Sequence, residues 1–140
     1  MSPGSRIFVV DDERVIASTL AAILRMNGFS ARFFTCPQEA LTAARSESPD
    51  LVISDVAMPG ISGIELAIQM RAHCPNCKIL LFSGQAATWD LLEGARAQGY
   101  DFRLLQKPVH PSEFLFEIGQ LSTGGLQFVP LAESLMPSTA

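Results

Sequence analysis

The chain lacks several features that mark whole classes of protein. None of its apolar runs approaches the ~18 residues that a membrane-spanning helix needs. It begins without the basic region and long apolar region of a secretory leader, and its three cysteines are an odd number that suits a reducing compartment. Positive charge is not in excess, because 10 Lys and Arg face 14 Asp and Glu, for a net charge of −4. We therefore expect a cytoplasmic protein that binds neither membranes nor nucleic acid directly.

The residues that are present are those of an ordinary folded domain. Of the 140 residues, 48% are hydrophobic and 17% are charged, which excludes disorder along the whole length. A chain of this length buries enough surface to fold without disulfides or a structural metal. We expect one domain over residues 1–121, where the predicted helices and strands lie, followed by a tail or linker over residues 122–140.

Apolar runs that predict strands alternate five times with amphipathic segments that predict helices. The predicted strands are 6–10, 29–34, 51–54, 78–82 and 102–106, and the predicted helices are 13–27, 37–46, 63–73, 88–99 and 111–121. Continuous apolar strands joined by helices indicate a parallel sheet with helices on both faces. We predict a doubly wound (βα)5 flavodoxin-like three-layer α/β sandwich with strand order 2-1-3-4-5. In that order, the residues that follow strands 1 and 3 lie side by side.

Acidic residues stand at that position. Asp11 and Asp12 follow the first predicted strand, and Asp55 follows the third. One aspartate at a strand end is typical of a turn or a helix cap, but three converging carboxylates repel one another unless a cation offsets them. Oxygen ligands without a neighbouring His or Cys suit Mg²⁺. The sequence therefore predicts a magnesium site at this edge of the sheet.

The ends of the fourth and fifth predicted strands add groups that can hold a phosphoryl group. Ser83 and Gly84 end the fourth strand, and Lys107 ends the fifth. An ammonium, a hydroxyl and a glycine amide facing a metal-binding acid cluster are the parts that stabilise phosphoryl transfer. Lys107 alone would be interpreted as a solvated surface lysine.

Together these segments resemble the receiver domain of two-component response regulators, the CheY-like domain. The resemblance covers about residues 6–121 and is carried by Phe8–Asp12, Asp55–Gly60, Ser83-Gly84 and Lys107-Pro108. It implies that Asp55 accepts a phosphoryl group from a histidine kinase or a phosphotransfer protein. It also implies a Mg²⁺ site made by Asp12, Asp55, the backbone carbonyl of Ala57 and, through water, Asp11.

The same resemblance assigns roles to the other strand ends. It implies that Lys107 pairs with the phosphoryl oxygens, that Ser83 moves to donate a hydrogen bond to them and that the Gly84 amide faces the same site. The Lys107-Pro108 bond is similar to one that is cis in this family. The implied protein is a signalling domain rather than an enzyme, and catalyses only its own phosphorylation and dephosphorylation. Its fourth helix, fifth strand and fifth helix would bind a partner or a second copy of the chain.

Two other functions compete with this interpretation. One is a phosphatase of the haloacid dehalogenase type, which also forms an aspartyl phosphate, but there the nucleophile ends strand 1 in an Asp-x-Asp pattern. This chain has Asp-Asp-Glu over residues 11–13. The other is a pseudo-receiver that acts without phosphorylation, against which the complete set of acidic, hydroxyl and lysine residues argues.

The sequence departs from the family pattern near the fifth strand. Leu104 stands where the family usually has an aromatic residue that switches rotamer, and the interval from Gly99 to Lys107 is one residue longer than usual, which predicts a bulge or a longer loop. Phe102 lies on the same strand face as Leu104, which makes it an alternative source of the missing aromatic side chain, but we favour a core position for it.

Three further features have ordinary explanations. We interpret the segment Cys74-Pro-Asn-Cys77 as a surface turn rather than a redox or metal site, since one cysteine pair cannot complete a four-ligand zinc site. Trp89 and Phe116 fall on predicted helices, where packing is the usual role of an aromatic residue.

Overall fold

Five strands and five helices alternate along the residues that the computed structural model describes, which are 4–84, 88–100 and 102–122. The strands are β1 (Arg6–Val10), β2 (Ser30–Phe34), β3 (Leu51–Asp55), β4 (Lys78–Ser83) and β5 (Arg103–Gln106). The helices are α1 (Arg14–Met26), α2 (Pro37–Ala44), α3 (Gly63–His73), α4 (Thr88–Ala97) and α5 (Pro111–Ser122). The predicted elements are therefore all present, with boundaries that differ by one or two residues.

The five strands form one parallel sheet in the order β2-β1-β3-β4-β5, which confirms the predicted topology. Val9 pairs with Ile53, and Ile53 pairs with Leu80, so the apolar runs of β1, β3 and β4 lie in register at the centre. These central strands are buried almost throughout, as expected for strands covered on both faces. Every strand points the same way, and all five carboxyl ends meet at one edge.

The helices bury apolar side chains because their hydrophobic residues recur at helical spacing. Ala17, Ala21 and Leu24 form the buried stripe of α1, which packs on β1 and β2. A larger core joins α2, α3 and α4 to the strands and includes Phe8 and Met70. That core holds the sheet edge in place.

Residues 4–109 form one compact unit, and residues 110–122 belong to a second unit that contains α5. Within the second unit, His110 caps the helix: its Nδ1 accepts a hydrogen bond from the Ser112 amide at 3.1 Å. The His110 amide in turn donates to Glu113 Oε1 at 3.5 Å, as the glutamate of a capping box accepts. Phe114 and Ile118, one turn apart on α5, are buried.

The structure decides two sequence predictions for residues near the amino ends of β4 and β5. Phe102 is only 4% exposed and stacks on Tyr100, with the Arg71 guanidinium 5.6 Å from its ring centre, so its core position is confirmed. The cysteine segment forms the predicted turn, with Pro75 and Asn76 exposed and the Cys77 amide donating to the Cys74 carbonyl at 3.0 Å, but its two cysteines are buried rather than at the surface. Cys74 lies one turn beyond the buried Met70, and Cys77 directly precedes β4.

Candidate functional site

Asp11 is fixed at the carboxyl end of β1 by backbone contacts. Its amide donates to the Phe34 carbonyl at the end of β2 at 3.1 Å, and its Oδ1 accepts from the Glu13 amide at 2.9 Å. The residue is 2% exposed, whereas Asp12 beside it is exposed. Burial is the main cause that raises the pKa of Asp11 above its usual value, with the Asp55 carboxylate adding to it and the Glu13 amide and Lys107 opposing it.

Asp55 is the last residue of β3, next to β1 in the sheet, so the sheet order brings it to the same place. Its side chain is 11% exposed. One carboxylate oxygen from each of Asp11, Asp12 and Asp55 lies within 4.8 Å of the others. The three residues that the sequence analysis grouped are therefore one cluster.

Lys107 brings a positive charge to this cluster from the end of β5. Its Nζ lies 3.2 Å from Asp55 Oδ1 and 3.8 Å from Asp11 Oδ2. Its amide donates to the Ser83 carbonyl at 2.8 Å, and the following bond to Pro108 is cis, as the resemblance implied. Lys107 is therefore paired with two carboxylates of the cluster and is not a solvated surface lysine.

The charges of the cluster fit a divalent cation. Three carboxylates and one ammonium sum to −3 + 1 = −2, and one Mg²⁺ would bring that sum to zero. The donor set is all oxygen, which suits Mg²⁺ rather than zinc or copper. Asp12, the exposed member, leaves one side of the cluster open to a hydrated ion.

The remaining predicted residues stand at the same edge of the sheet. Ser83 ends β4 and is 3% exposed. Gly84 follows it, and a Cβ on Gly84 would lie 3.6 Å from Lys107 Cβ, which places Gly84 beside the lysine. Ala57 follows Asp55 by two residues and is exposed. These positions suit the predicted roles.

The sequence analysis missed one residue that touches this site, Gly63. It opens α3, and it lies so close to the Asp55 carbonyl oxygen that a Cβ there would overlap with it. A glycine at the first position of a helix was the only available sign, since serine, aspartate and proline are the usual choices around a helix start.

The departures from the family pattern remain in the structure. Leu104 is partly buried and packs on the core beside Phe102. Phe116 on α5 is 59% exposed rather than packed. The side chain of Trp89 lies outside the described residues, so the packing role predicted for it stays a prediction.

Comparison with known proteins connects this geometry to a family. A family model for the response regulator receiver domain matches residues 7–118. The probable transcriptional regulatory protein TcrX of Mycobacterium tuberculosis is 31% identical over 82% of this chain and 48% of its own length. The DNA-binding response regulator MtrA of Mycolicibacterium paratuberculosis is 33% identical over 81% of this chain and 49% of its own. The chain thus spans about half the length of these relatives.

A solved structure extends the likeness. The response regulator protein TrrA of Thermotoga maritima, in complex with Mg²⁺ and BeF, is 31% identical with a TM-score of 0.72, over 84% of this chain and 98% of that one. Within the described part of the chain, no helix is long and apolar enough to cross a membrane. The sheet order, the acid cluster and these matches agree, and the chain belongs to the receiver domain family of two-component response regulators.

Proposed function

We propose that this receiver domain switches a signalling output by accepting a phosphoryl group on Asp55 in a Mg²⁺-dependent reaction. The observation that carries the proposal is the position of the Asp55 carboxylate. It lies 3.2 Å from the Lys107 ammonium and in one cluster with Asp11 and Asp12. A carboxylate nucleophile yields an acyl phosphate, which is reactive enough to serve as a transient mark.

In this proposal, the metal ion would be held by the carboxylates of Asp12 and Asp55, by the Ala57 carbonyl and, through water, by Asp11. The bound cation would offset the charge of the carboxylates and of the incoming phosphoryl oxygens. A site with a net charge of −2 would otherwise repel a phosphoryl donor. The charge balance of the cluster supports a divalent cation at this position.

The chain's own residues account for the transfer. An Asp55 carboxylate oxygen bonds to phosphorus as the bond between phosphorus and the donor's imidazole nitrogen breaks, and the electron pair leaves with the imidazole, which takes up a proton. Lys107 loses part of its pairing with Asp55 and gains the phosphoryl oxygens in its place. The Ser83 hydroxyl donates to another phosphoryl oxygen, and the Gly84 amide faces the same group. These interactions stabilise the negative charge on the phosphoryl group as it moves from the donor to Asp55.

Membership of the family supports a proposal for the donor and for the output. We propose a sensor histidine kinase or a phosphotransfer protein as donor, and protein–protein contacts as output, by α4, β5 and α5 with a partner or a second copy. Leu91 on α4 and Phe116 on α5 are 51% and 59% exposed, which supports roles in contacts. We propose residues 1–121 as the receiver and 122–140 as a tail or linker, without direct nucleic-acid binding by this chain.

Phosphorylation by a small donor tests the proposal. Incubation with acetyl phosphate and Mg²⁺ should add one phosphoryl group to the intact mass, and chelation of the metal should prevent it. Asp55→Asn should abolish the adduct, whereas the matched change Asp90→Asn on α4 should keep it. A stable adduct on Asp55→Asn would contradict the proposal, and so would repeated release of phosphate without an adduct, which is the behaviour of a phosphatase.

A further inference from the structure

We propose that Gly63 and Ser54 are positioning residues for the transfer to Asp55, because they fix the Asp55–Val56 backbone from two sides. This inference rests on the proposed function and concerns the geometry of its nucleophile. Neither residue contacts the phosphoryl group in this account. Both act through the backbone that carries the Asp55 side chain.

The start of α3 lies directly against that backbone. The Gly63 amide donates to the Val56 carbonyl at 2.9 Å. A Cβ on Gly63 would overlap with the Asp55 carbonyl oxygen and would lie 2.9 Å from both the Asp55 carbonyl carbon and Val56 Cα. Carbon atoms in contact are about 3.5–4.0 Å apart, so any side chain here must displace the helix or the Asp55 peptide by at least about 0.6 Å.

Space, rather than backbone conformation, is what requires glycine at position 63. Its φ lies outside the left-handed region that favours glycine. The preceding residue, Ser62, caps α3 by accepting the Glu65 amide at 3.1 Å, so the helix start is itself held in place. The overlap would therefore be relieved by a shift of the helix start and the Asp55 peptide relative to each other.

Ser54 holds the same peptide from within β3. Its side chain is buried, and its Oγ donates to the Asp55 carbonyl oxygen at 2.9 Å. On the next strand, the Phe82 carbonyl accepts from the Val56 amide at 2.9 Å. The Asp55–Val56 peptide group is thus fixed by β4 and by a buried hydroxyl, and the next peptide group, Val56–Ala57, is fixed by α3. Fixing them sets where the carboxylate stands relative to Lys107.

The expected effect is on the rate of transfer. A misplacement of about 1 Å costs roughly 100-fold in a reaction that depends on alignment, so Gly63→Ala should slow phosphorylation by about 10- to 100-fold at saturating acetyl phosphate and Mg²⁺. Ser54→Ala, which removes one restraint and adds no atoms, should slow it by about 3- to 10-fold. The donor concentration that gives half the maximal rate should change little, because neither residue binds the donor.

Two control variants separate positioning from stability. Gly94→Ala changes another glycine of ordinary φ, on α4, where a Cβ would meet no atom within 4 Å, and its rate should equal that of the parent. Leu24→Ala removes a fully buried side chain near the end of α1. The Leu24 carbonyl accepts a hydrogen bond from the Phe29 amide just before β2 begins, so this residue supports the fold outside the acid cluster. This variant should lower the unfolding free energy without slowing transfer, provided that the rates are measured well below the unfolding transition.

The outcomes are distinct. Slower transfer in both site variants at an unchanged half-saturating concentration supports positioning. Parent rates in folded Gly63→Ala and Ser54→Ala overturn it, as does equal slowing in Leu24→Ala. If Gly63→Ala does not fold, Ser54→Ala decides alone. A parent chain without an Asp55 adduct overturns the proposed function and this inference together, whereas a normal parent with unaffected variants overturns the inference only.

Discussion

Removal of the Asp12 carboxylate tests whether the acid cluster is a metal site. The cluster carries −3 from its carboxylates, and Lys107 returns +1. Asp11 and Asp55 have oxygens within 4.8 Å of each other, but the Lys107 ammonium lies 3.8 and 3.2 Å from them and offsets their repulsion, which leaves the cluster with an excess of two negative charges. The folded chain without metal therefore holds unfavourable charge that a bound divalent cation would relieve.

The magnitude follows from linkage. Metal that binds only the folded chain stabilises it by RT ln(1 + [Mg²⁺]/Kd), about 2.7 kcal/mol at 100 times Kd. For a chain of this size, that free energy raises the Tm by roughly 8–13 °C. Asp12→Ala should lose this rise. In the absence of metal it should be at least as stable as the parent, because it removes one of the repelling carboxylates.

Thermal unfolding with and without Mg²⁺, at constant ionic strength, measures both effects. The matched control is Glu39→Ala on α2, which removes an exposed carboxylate outside the cluster and should keep the full rise in Tm. A parent Tm that is indifferent to Mg²⁺ would refute the site, and so would an Asp12→Ala variant that responds like the parent.

Three other predictions concern the thiols, the lifetime of the phosphoryl group and a helix cap. Burial raises the pKa of the Cys77 thiol from 9.0 to about 12, so the unfolded chain loses this proton first and the unfolding free energy should fall as the pH rises from about 9 towards 12. Urea unfolding of Cys77→Ala should show a shallower fall; an identical pH dependence would contradict the cause. Ala57 offers no polar group to hold the hydrolytic water, so Ala57→Asn should speed dephosphorylation and Gln85→Ala, whose position lies outside the described residues, should slow it, by more than about twofold. Rates from purified phosphoprotein in excess Mg²⁺ would show this, and two unchanged rates would refute it. Loss of the α5 cap in His110→Ala should lower the unfolding free energy by about 1 kcal/mol, whereas His110→Asn, which can still cap the helix, should lower it by much less. Equal losses for the two variants in urea unfolding would argue against the cap.

The sequence predicted the sheet and its acidic edge because both depend on patterns along the chain. Continuous apolar strands joined by helices leave few parallel arrangements, and the order 2-1-3-4-5 places the ends of β1 and β3 together. Asp11 and Asp55 lie close together for that reason. The roles of these residues in metal binding and transfer remain predictions.

The close contact at Gly63 could not be predicted in the same way. It depends on how closely the start of α3 approaches the end of β3, which no residue pattern encodes. The cysteine segment shows a second limit. Pro75 and Asn76 form the exposed turn of which they are typical, but Cys74 continues the buried face of α3 and Cys77 leads into the buried strand β4, so the burial of the two thiols follows from tertiary packing rather than from the local pattern.

The central claim is that Asp55, and no other carboxylate of the cluster, carries the phosphoryl group. Borohydride reduction of the chain after treatment with acetyl phosphate and Mg²⁺ converts an aspartyl phosphate to homoserine, which peptide mass mapping then locates. We predict homoserine at position 55, with Asp11 and Asp12 unchanged. Homoserine at position 11 or 12, or its absence from a chain that has gained a phosphoryl group, would contradict the account.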